Sequence, residues 1–418
     1  MKENTIHSLL KRYYRFNKFR PGQEEIIQSI LDGRDTLAVM PTGGGKSLCY
    51  QLPALILEGI TLVISPLIAL MKDQVDVLQK RKIAASFINS SLKEKEVKKT
   101  IGEAINGKIK ILYIAPERLN SDFSSVLRKI PISFAAIDEA HCVSTWGHDF
   151  RPDYRVIKER IDSLPKRPIV AGFTATATPE VREDIAERLG LKKPQIFIRG
   201  FDRPNLRFFA CGWMNDSSRD SEVLRLVKSL PKPGIVYVGK RDKAEELAAY
   251  LTDAGISALP YHAGLKTEDR TVIQEAFMND KLSVIVATIA FGMGIDKSDV
   301  RFVVHAGMPG TLERYYQEAG RAGRDSKPAT CVLLHSGADS ALQNYFIRKS
   351  YEDSVERGKP EDEASIVRDL KYQKLKQMEK YVMANSCKRR IILDYFGDES
   401  AHKHENCQGC DYCLGLRK

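Results

Sequence analysis

Short apolar runs alternate with helical patterns along the first half of the chain. Each run ends in a polar or proline-containing turn, and a stretch of helical periodicity follows. Repetition of strand, turn and helix predicts a parallel sheet. In such sheets ligands bind beyond the carboxyl ends of the strands, so the polar residues there are functional candidates as a set, although any single one could be a helix cap. The strands predicted in this half are residues 35–39, 60–65, 109–114, 134–137 and 169–173.

The second half repeats this pattern after a Gly- and Pro-containing stretch at residues 198–206, which we interpret as a hinge. Beyond residue 335 the chain becomes helical in pattern and strongly charged. The sequence therefore predicts an α/β protein with two parallel-sheet domains, 1–200 and 201–335, and a small helical module at 336–418. The strands predicted in the second domain are residues 234–238, 282–288, 301–305 and 330–334.

Length, charge and the distribution of apolar residues indicate a multidomain protein that does not span a membrane. A chain of 418 residues is long enough for about three domains with buried cores. Lys and Arg number 65 against 54 for Asp and Glu, and the net charge of +11 favours a polyanionic partner such as nucleic acid, although many enzymes are equally basic. No run approaches the roughly 18 apolar residues of a membrane span, and no signal-type apolar core follows the N-terminus. We therefore expect a cytoplasmic protein that does not associate with membranes.

The clearest chemical signal is a glycine-rich loop between the strand at 35–39 and a helical pattern at 48–57. Glycines let backbone N–H groups surround a phosphate, a lysine reaches the β and γ phosphates, and a serine hydroxyl holds Mg²⁺. An anion also gains from the positive end of the following helix. We prefer this interpretation to a glycine-rich turn with a chance Lys-Ser pair. The predicted phosphate ligands are Thr42, Gly43, Gly44, Gly45, Lys46 and Ser47.

A second signal follows the strand at 134–137, where the sequence reads Asp138-Glu139-Ala140-His141. An Asp after an apolar strand can hold Mg²⁺, and an adjacent Glu can polarise the attacking water. The alternative is that the two carboxylates are simply exposed to solvent on a loop and have no ligand. Thr174 and Thr176, after the next strand, could relay the nucleotide state to another surface or could be cap and turn residues.

The loop at 142–154 interleaves three aromatic residues with Arg, His and Asp. Aromatic residues beside cations suit stacking on unpaired bases, at about 1–3 kcal/mol per base. The alternative is that Trp146 and Phe150 fill a local core. The density of polar groups favours nucleic-acid binding.

A glutamine precedes the glycine-rich loop by about twenty positions. The side chain of Gln23 can pair with N6 and N7 of adenine, at a position where an element beside the phosphate loop could read the base. Its alternative is an ordinary polar residue at a helix N-terminus.

Two arginines of the second predicted domain complete the set. Arg321 and Arg324 lie three apart, which on a helix projects both from one face. Guanidinium groups closing on a γ-phosphate from a separate domain form an arginine-finger arrangement, worth roughly 10³–10⁵ in rate. The alternative is a surface helix with a salt bridge to Asp325. With a phosphate loop in the first domain, we expect hydrolysis to require closure of the cleft between the domains.

The cysteines fall into two groups. Four thiolates near the end of the chain, three of them spaced by two residues, suit a tetrahedral structural Zn²⁺, with a [4Fe–4S] cluster as the rival. His402 and His404 are weaker ligand candidates because four sulfurs close the shell. The predicted metal ligands are Cys387, Cys407, Cys410 and Cys413. The scattered cysteines, which we expect to be small buried hydrophobes rather than disulfide partners, are Cys49, Cys142, Cys211 and Cys331.

These motifs together resemble those of superfamily 2 helicases, and closely those of the RecQ family of DNA helicases. The similarity extends from about residue 13 to residue 413. The matching segments are residues 19–23 (adenine-reading motif 0), 42–47 (motif I), 138–141 (motif II), 174–176 (motif III), 146–154 (the aromatic-rich loop) and 317–324 (motif VI). The position of the cysteine cluster after both motor domains matches the RecQ zinc-binding module and favours zinc.

The resemblance also implies residue roles. It makes Arg324 the arginine finger and Arg321 its neighbour on the phosphates. The further nucleotide-binding residues that it implies are Phe19, Arg20, Gly294, Asp296 and Gln317. The DNA-binding residues that it implies, in the loop that couples DNA binding to hydrolysis, are Trp146, His148, Phe150 and Arg151.

For the whole chain the resemblance implies two tandem RecA-like domains, a zinc-binding module, and ATP, Mg²⁺ and Zn²⁺ as cofactors. The expected activity is an ATP-driven motor that moves 3′ to 5′ along single-stranded DNA and unwinds partly duplex DNA in recombination and repair. A single-strand-binding protein is a candidate partner, and we expect a monomer. Relatives commonly continue into winged-helix and HRDC domains, which do not fit in the residues after Cys413, so we expect DNA-stimulated ATP hydrolysis ahead of unwinding.

Two other functions stay open on the sequence. One is an RNA helicase of the Asp-Glu-x-His type. The other is a zinc-stabilised DNA-binding or annealing module in which ATP acts only as a switch.

Overall fold

The computed structural model describes residues 2–41, 43–66, 68–119, 121–147, 149–212, 215–292, 297–403 and 406–416. The chain forms two compact units, Met1–Phe201 and Asp202–Lys418. The division between them falls inside the Gly- and Pro-containing stretch at 198–206.

The first unit is built on a parallel sheet that has seven strands among the described residues. The strands are β1 (Thr36–Val39), β2 (Ile60–Ile64), β3 (Ala85–Ile88), β4 (Ile111–Ile114), β5 (Ile132–Ile137), β6 (Ile169–Thr174) and β7 (Gln195–Ile198). They lie in the order β3-β4-β2-β5-β6-β1-β7. The helices are α1 (Lys2–Leu9), α2 (Gln23–Leu31), α3 (Lys46–Ala54), α4 (Ile68–Lys80), α5 (Glu94–Ile105), α6 (Ser121–Leu127), α7 (Ile157–Asp162) and α8 (Pro179–Arg188).

Strands β1 and β2, in the interior of this sheet, are buried along their whole length, which explains their largely apolar sequences. Every residue of β1 and β2 is buried, as expected for a parallel sheet covered on both faces. Strand β1 pairs with β6 and β7, and β6 pairs with β5. Because the strands are parallel, the segments that follow β1, β5 and β6 leave the sheet at the same edge. The predicted parallel sheet is confirmed.

The second unit has a parallel sheet of its own, with six strands in the part of the chain that is described. The strands are β8 (Leu206–Cys211), β9 (Gly234–Tyr237), β10 (Ala258–Tyr261), β11 (Val284–Ala287), β12 (Phe302–Ala306) and β13 (Ala329–Leu334). They lie in the order β10-β11-β9-β12-β13-β8. The helices are α9 (Asp216–Ser229), α10 (Arg241–Asp253), α11 (Thr267–Met278), α12 (Leu312–Ala319), α13 (Gly337–Glu356), α14 (Glu361–Met383) and α15 (Lys388–Tyr395).

Three details differ from the sequence predictions. Helix α3 ends at Ala54 rather than at residue 57, because the chain turns after Pro53. Helix α12 ends at Ala319, so Arg321 and Arg324 lie in the turns that follow it and not on one helix face. Cys211 is exposed rather than buried, because it stands at the outward position where the alternating strand β8 ends.

None of the described helices combines the length and the apolar composition that crossing a bilayer requires.

Candidate functional site

The glycine-rich loop joins the buried strand β1 to the first turn of α3. Gly43 and Gly45 have φ of 78° and 82°, a left-handed conformation that glycine adopts without strain. A Cβ atom at residue 45 would lie 2.4 Å from Nε2 of Gln23. The Lys46 ammonium donates to the Met40 carbonyl at 3.3 Å. The loop therefore bends tightly around the N-terminus of α3, where backbone N–H groups and the helix dipole favour an anion. Ser47 follows Lys46 on the first turn of α3 and is partly exposed. Thr42 lies outside the described residues.

Gln23 contacts the glycine-rich loop directly. Its Nε2 lies 3.2 Å from the carbonyl oxygens of Gly44 and Gly45, and its Oε1 accepts the Arg20 N–H at 2.9 Å. The Arg20 guanidinium donates to the Gly43 carbonyl. The structure thus places Gln23 and Arg20 beside the loop, as a base-reading element requires. Recognition of adenine would need the Gln23 amide to exchange its present partners.

Phe19 flanks the same segment. It is partly buried, and its ring meets that of His7 edge-on at 5.0 Å. The ring therefore packs against His7 of α1, beside the segment that holds Arg20 and Gln23.

The carboxylate pair lies where β5 ends. Asp138 is 7% exposed, and its Oδ1 accepts the N–H of Glu139 at 3.1 Å. Burial, and then repulsion from Glu139, raise the pKa of Asp138 to about 7, while Lys46 opposes the rise. The proximity of Lys46 to this carboxylate joins the glycine-rich loop and the Asp138–Glu139 segment into one site. A divalent cation bound there would stabilise the charged form of Asp138.

Glu139 has an uncommon backbone conformation. Its φ of 47° is left-handed, which non-glycine residues adopt rarely and often at functional sites. The turn brings Oε2 of Glu139 to 3.3 Å from Nδ1 of His141. The same Nδ1 lies 2.9 Å from Oγ1 of Thr174, at the end of β6. Hydrogen bonding therefore connects the segments after β5 and β6, which are the predicted motifs II and III.

The aromatic segment is attached to this network through Tyr154. Tyr154 is fully buried and its hydroxyl donates to the Asp138 carbonyl at 3.0 Å. Tyr154 is therefore a core residue that supports the segment, and it was not among the predicted DNA-binding residues. Trp146 is 43% exposed, whereas Phe150 is partly buried beneath the Arg155 guanidinium at 5.0 Å.

Arg151 and Asp149 form an ion pair within the same segment. Arg151 donates to Asp149 Oδ2 at 3.1 and 3.2 Å, and to the Pro66 carbonyl at 3.4 Å. Among the predicted DNA-binding residues, His148 lies outside the described residues.

The arginines of the second unit differ in burial. Arg321 is 6% exposed and forms a hydrogen bond with the Tyr237 hydroxyl. A Cβ atom at Gly292 would lie 2.9 Å from its Nη2, so Arg321 packs against the loop that follows β11. Arg324 is partly buried in the next turn. The carboxylate of Asp325 pairs with Arg301 at 2.6 Å, so the surface-helix alternative does not describe this segment.

Three more predicted nucleotide-binding residues belong to the second unit. Gln317 lies on α12 and is partly buried. Gly294 and Asp296 lie outside the described residues.

The four C-terminal cysteines form a compact cluster. Their Sγ atoms all lie within 4.8 Å of one another. A tetrahedral Zn²⁺ with bonds of about 2.3 Å spaces its sulfur ligands by about 3.8 Å, whereas a four-iron cluster needs a wider spacing because the whole inorganic core lies between the cysteines. The donor set and spacing therefore fit one tetrahedral ion. The cluster consists of Cys387, Cys407, Cys410 and Cys413.

Backbone and thiol groups support thiolate charge in this cluster. The N–H groups of Cys407 and Cys413 donate to Sγ of Cys413 and Cys410, each at 3.4 Å. Hydrogen bonds from the thiols of Cys387 and Cys407 hold the pKa of Cys410 far below its usual range, whereas hydrogen bonding with Cys407 and Cys410 raises the pKa of Cys387. Without a metal ion, the negative charge of the cluster therefore lies on the Cys410 sulfur. Thiolates are the form that binds a metal ion.

The cysteine cluster is joined to the sheet of the second unit at the edge strand β8. The Phe208 N–H donates to the Gly409 carbonyl at 2.8 Å, and the Asp411 N–H donates to the Phe208 carbonyl at 3.2 Å. The Ala210 N–H donates to Asp411 Oδ2 at 3.0 Å. The cysteine loop thus continues the sheet by a short stretch of parallel pairing.

A buried arginine reinforces this junction. Arg389, on α15, donates to Asp202 Oδ1 at 2.8 Å and to the carbonyls of Arg203 and Leu206 at 2.6 and 2.5 Å. Its guanidinium also lies over the Phe208 ring at 5.7 Å. No motif in the sequence pointed to Arg389, because the roles of buried cations depend on contacts between residues about 190 positions apart.

Comparisons with known proteins divide the chain in a similar way. Residues 20–185 match the DEAD/DEAH box helicase family, 219–326 match the helicase conserved C-terminal domain, and 337–414 match the RecQ zinc-binding family. Among solved structures, the helicase MrfA bound to DNA and AMPPNP matches with a TM-score of 0.68 at 19% identity, over 86% of this chain and 53% of that one. Mss116p bound to single-stranded RNA and AMP-PNP matches with a TM-score of 0.68 at 18% identity, over 95% and 89%. These likenesses concern the fold.

Curated relatives are much closer in sequence. The ATP-dependent DNA helicase RecQ of Pasteurella multocida is 43% identical over 99% of this chain and 62% of its own length, and that of Haemophilus influenzae is 43% identical over 98% and 64%. The chain thus spans somewhat under two thirds of these two relatives. The RecQ protein of Bacillus subtilis is 44% identical over 99% of this chain and 68% of its own length. On this identity, and with a RecQ zinc-binding segment in place, the chain belongs to the RecQ family.

Proposed function

We propose that the chain is an ATP-dependent DNA motor, which hydrolyses ATP when bound to single-stranded DNA, moves along it 3′ to 5′ and unwinds partly duplex DNA in recombination and repair. One observation supports this most. The aromatic segment is hydrogen-bonded to the backbone of Asp138, and Lys46 of the glycine-rich loop lies close enough to the Asp138 carboxylate to interact with it electrostatically. Nucleotide hydrolysis and nucleic-acid binding are therefore linked by a few short contacts.

Within the first unit, we assign the nucleotide to the glycine-rich loop. Gln23 would hold adenine, with Phe19 and Arg20 beside it. The backbone of 43–45 and the Lys46 ammonium would bind the phosphates.

Asp138 and Ser47 would hold Mg²⁺, which supplies charge neutralisation of the phosphates when bound. Glu139 would orient the attacking water and accept its proton. The left-handed turn at Glu139 fixes where its carboxylate points, and His141 steadies it.

Arg321 and Arg324 of the second unit would stabilise the charge that develops on the γ-phosphate, with Arg324 as the finger. Gln317, Gly294 and Asp296 would assist nucleotide binding. The burial of Arg321 supports a positioning role for it, because a buried guanidinium with fixed partners is held in one orientation.

DNA would contact the aromatic segment at Trp146, Phe150 and Arg151, together with His148. The Tyr154 hydroxyl bonds to the backbone of Asp138, so movement of the segment on DNA binding shifts the metal ligand directly. This link gives a physical route from bound DNA to faster hydrolysis.

Zinc would occupy the cysteine cluster in a structural role. Its ligands close the coordination shell, and the cluster extends the sheet at β8. Binding of the ion would therefore contribute to folding of the second unit rather than to catalysis.

Steady-state ATPase assays with single-stranded DNA and RNA of matched sequence test this function. DNA is expected to stimulate the wild type more than RNA. Glu139→Gln is expected to bind an ATP analogue and to lose turnover by about 10²–10⁴-fold. Trp146→Ala is expected to lose DNA stimulation, while Tyr250→Ala, at a similarly exposed aromatic of α10, retains it.

Contrary results are distinguishable. Equal stimulation by RNA would favour an RNA helicase, and retained turnover in Glu139→Gln would remove that residue from catalysis. Displacement of a strand from a 3′-tailed duplex without ATP would favour the annealing module. The three-part division at residues 200 and 335, the monomeric state, the cytoplasmic location and a single-strand-binding partner stay predictions.

A further inference from the structure

A second group of metal-ligand atoms lies in the first unit, apart from the cysteine cluster. Nε2 of His141 is 3.8 Å from Sγ of Cys142, and that sulfur is 4.0 Å from Oδ2 of Asp149. All three atoms lie within 4.8 Å of one another. Tetrahedral zinc bonds of about 2.0–2.3 Å put such ligand atoms about 3.5 Å apart, so small side-chain shifts would bring them onto one ion.

The histidine is oriented for this role by its other nitrogen. Nδ1 of His141 faces Oγ1 of Thr174 at 2.9 Å and Oε2 of Glu139 at 3.3 Å. A carboxylate or hydroxyl on one ring nitrogen, with the ligand on the other, is the usual arrangement behind metal-bound histidines. His141 and Cys142 are nearly fully buried, whereas the Asp149 side chain is 40% exposed. An ion could therefore enter from solvent past Asp149.

We propose that His141, Cys142 and Asp149 form a regulatory site for a divalent cation of the zinc class. The imidazole and the thiolate suit Zn²⁺ better than Mg²⁺, and Zn²⁺ also accepts a carboxylate oxygen. Water would complete the coordination, as in zinc sites with three protein ligands. Binding releases the Cys142 proton to solvent, and no other covalent change occurs.

The position of the site predicts its effect, and this step rests on the proposed function. Arg151 donates two hydrogen bonds to the same Asp149 oxygen. A cation on that oxygen repels the guanidinium, so Arg151 leaves Asp149. The ion also ties the aromatic segment to His141, next to Glu139. DNA stimulation of ATP hydrolysis is therefore expected to fall when the ion binds.

Equilibrium dialysis of the full chain against Zn²⁺, with zinc per chain measured by elemental analysis, tests the site itself. The wild type is expected to bind one ion more than Cys142→Ala. Cys331→Ala, at a buried cysteine of the second unit, is the control and is expected to bind as the wild type does. Asp149→Asn, at a partly exposed position, is expected to bind the additional ion at least about tenfold more weakly.

A Cd²⁺ titration gives a second readout. The cadmium–thiolate absorption of the wild type and of Cys331→Ala is expected to exceed that of Cys142→Ala by the contribution of one thiolate. Equal zinc content in the wild type and Cys142→Ala, or equal affinity in Asp149→Asn, would overturn the site. An additional ion that leaves DNA-stimulated ATPase unchanged would overturn its coupling to DNA. Failure of DNA to stimulate hydrolysis in protein that keeps the zinc of the cysteine cluster, holds no additional ion and is assayed with Mg²⁺ would instead overturn the proposed function.

Discussion

Replacing Asp138 by Asn is expected to stabilise the nucleotide-free protein while removing its ATPase activity. The pKa of Asp138 is raised from 3.8 to about 7, chiefly by burial. At 1.36 kcal/mol for each tenfold change in proton affinity, keeping this carboxylate charged above pH 7 costs the fold about 4 kcal/mol. Asn has nearly the same shape and carries no charge, so it avoids that cost. The charged carboxylate of Asp138 thus lowers the stability of the nucleotide-free fold.

The pH dependence of the stability difference between the variant and the wild type tests this explanation more directly. A raised carboxyl pKa means that the folded state favours the proton, so the cost is absent below about pH 3.8, grows as the pH rises and is complete above about pH 7. Weakening of the hydrogen bond from the Glu139 N–H, which the Asn amide accepts less strongly than a carboxylate does, costs about 1 kcal/mol in the variant, at every pH. That constant cancels when two pH values are compared. The advantage of the variant should therefore increase by about 2 kcal/mol between pH 5.5 and pH 8.

Urea denaturation of both proteins at these two pH values, without Mg²⁺ or nucleotide, measures the difference. Asp76→Asn, at an exposed aspartate of α4, is the matched control and should show no such increase. Addition of Mg²⁺ and an ATP analogue should stabilise the wild type and not the Asp138 variant. If the stability of the variant relative to the wild type is the same at both pH values, the pKa of the buried Asp138 carboxyl is not raised, and the explanation is wrong.

Three further changes test other parts of the structure. Gln23→Ala should raise KM for ATP by about tenfold and leave that for GTP nearly unchanged, and a parallel rise for both would exclude base recognition by Gln23. Arg389→Ala should lower the free energy of unfolding by about 3 kcal/mol, because it leaves buried polar groups unpaired. Arg390→Ala, at an exposed position of the same helix, is the control and should lower it by less than about 0.5 kcal/mol. Similar decreases in the urea midpoints of the two variants would contradict the contacts assigned to Arg389. Removal of zinc by a chelator should abolish hydrogen-exchange protection at Phe208 and Ala210, and protection that persists would show that β8 does not depend on the cluster.

The sequence predicted the central strands of both sheets but not their edge strands. All nine predicted strands are present, and each lies inside its sheet. The four described strands that were missed are the two edges of each sheet, β3, β7, β8 and β10. Central parallel strands are buried on both faces and read as continuous apolar runs, whereas edge strands carry exposed positions. In β7, for example, Gln195 and Ile196 are exposed.

Candidate site residues could be predicted where they belong to a motif with a defined spacing. The burial and backbone conformation of those residues could not be predicted. The glycine-rich loop, the carboxylate pair and the four clustered cysteines each show residue types and spacings that indicate a ligand. Burial of Tyr154, the left-handed turn at Glu139 and the position of Arg321 beyond α12 depend on packing between distant segments. No local pattern distinguishes an aromatic residue that faces DNA from one that supports the loop beneath it.

The pairing of β8 with the cysteine loop has a consequence for synthesis of the chain. Strand β8 ends at Cys211, but Gly409 and Asp411, which bond to its outer edge, are made about two hundred residues later. Until they emerge from the ribosome, that edge presents unpaired N–H and C=O groups, which are a template for pairing with another chain. Pairing of the cysteine loop with β8 thus closes an aggregation-prone edge only late in synthesis, after the whole second sheet has been made.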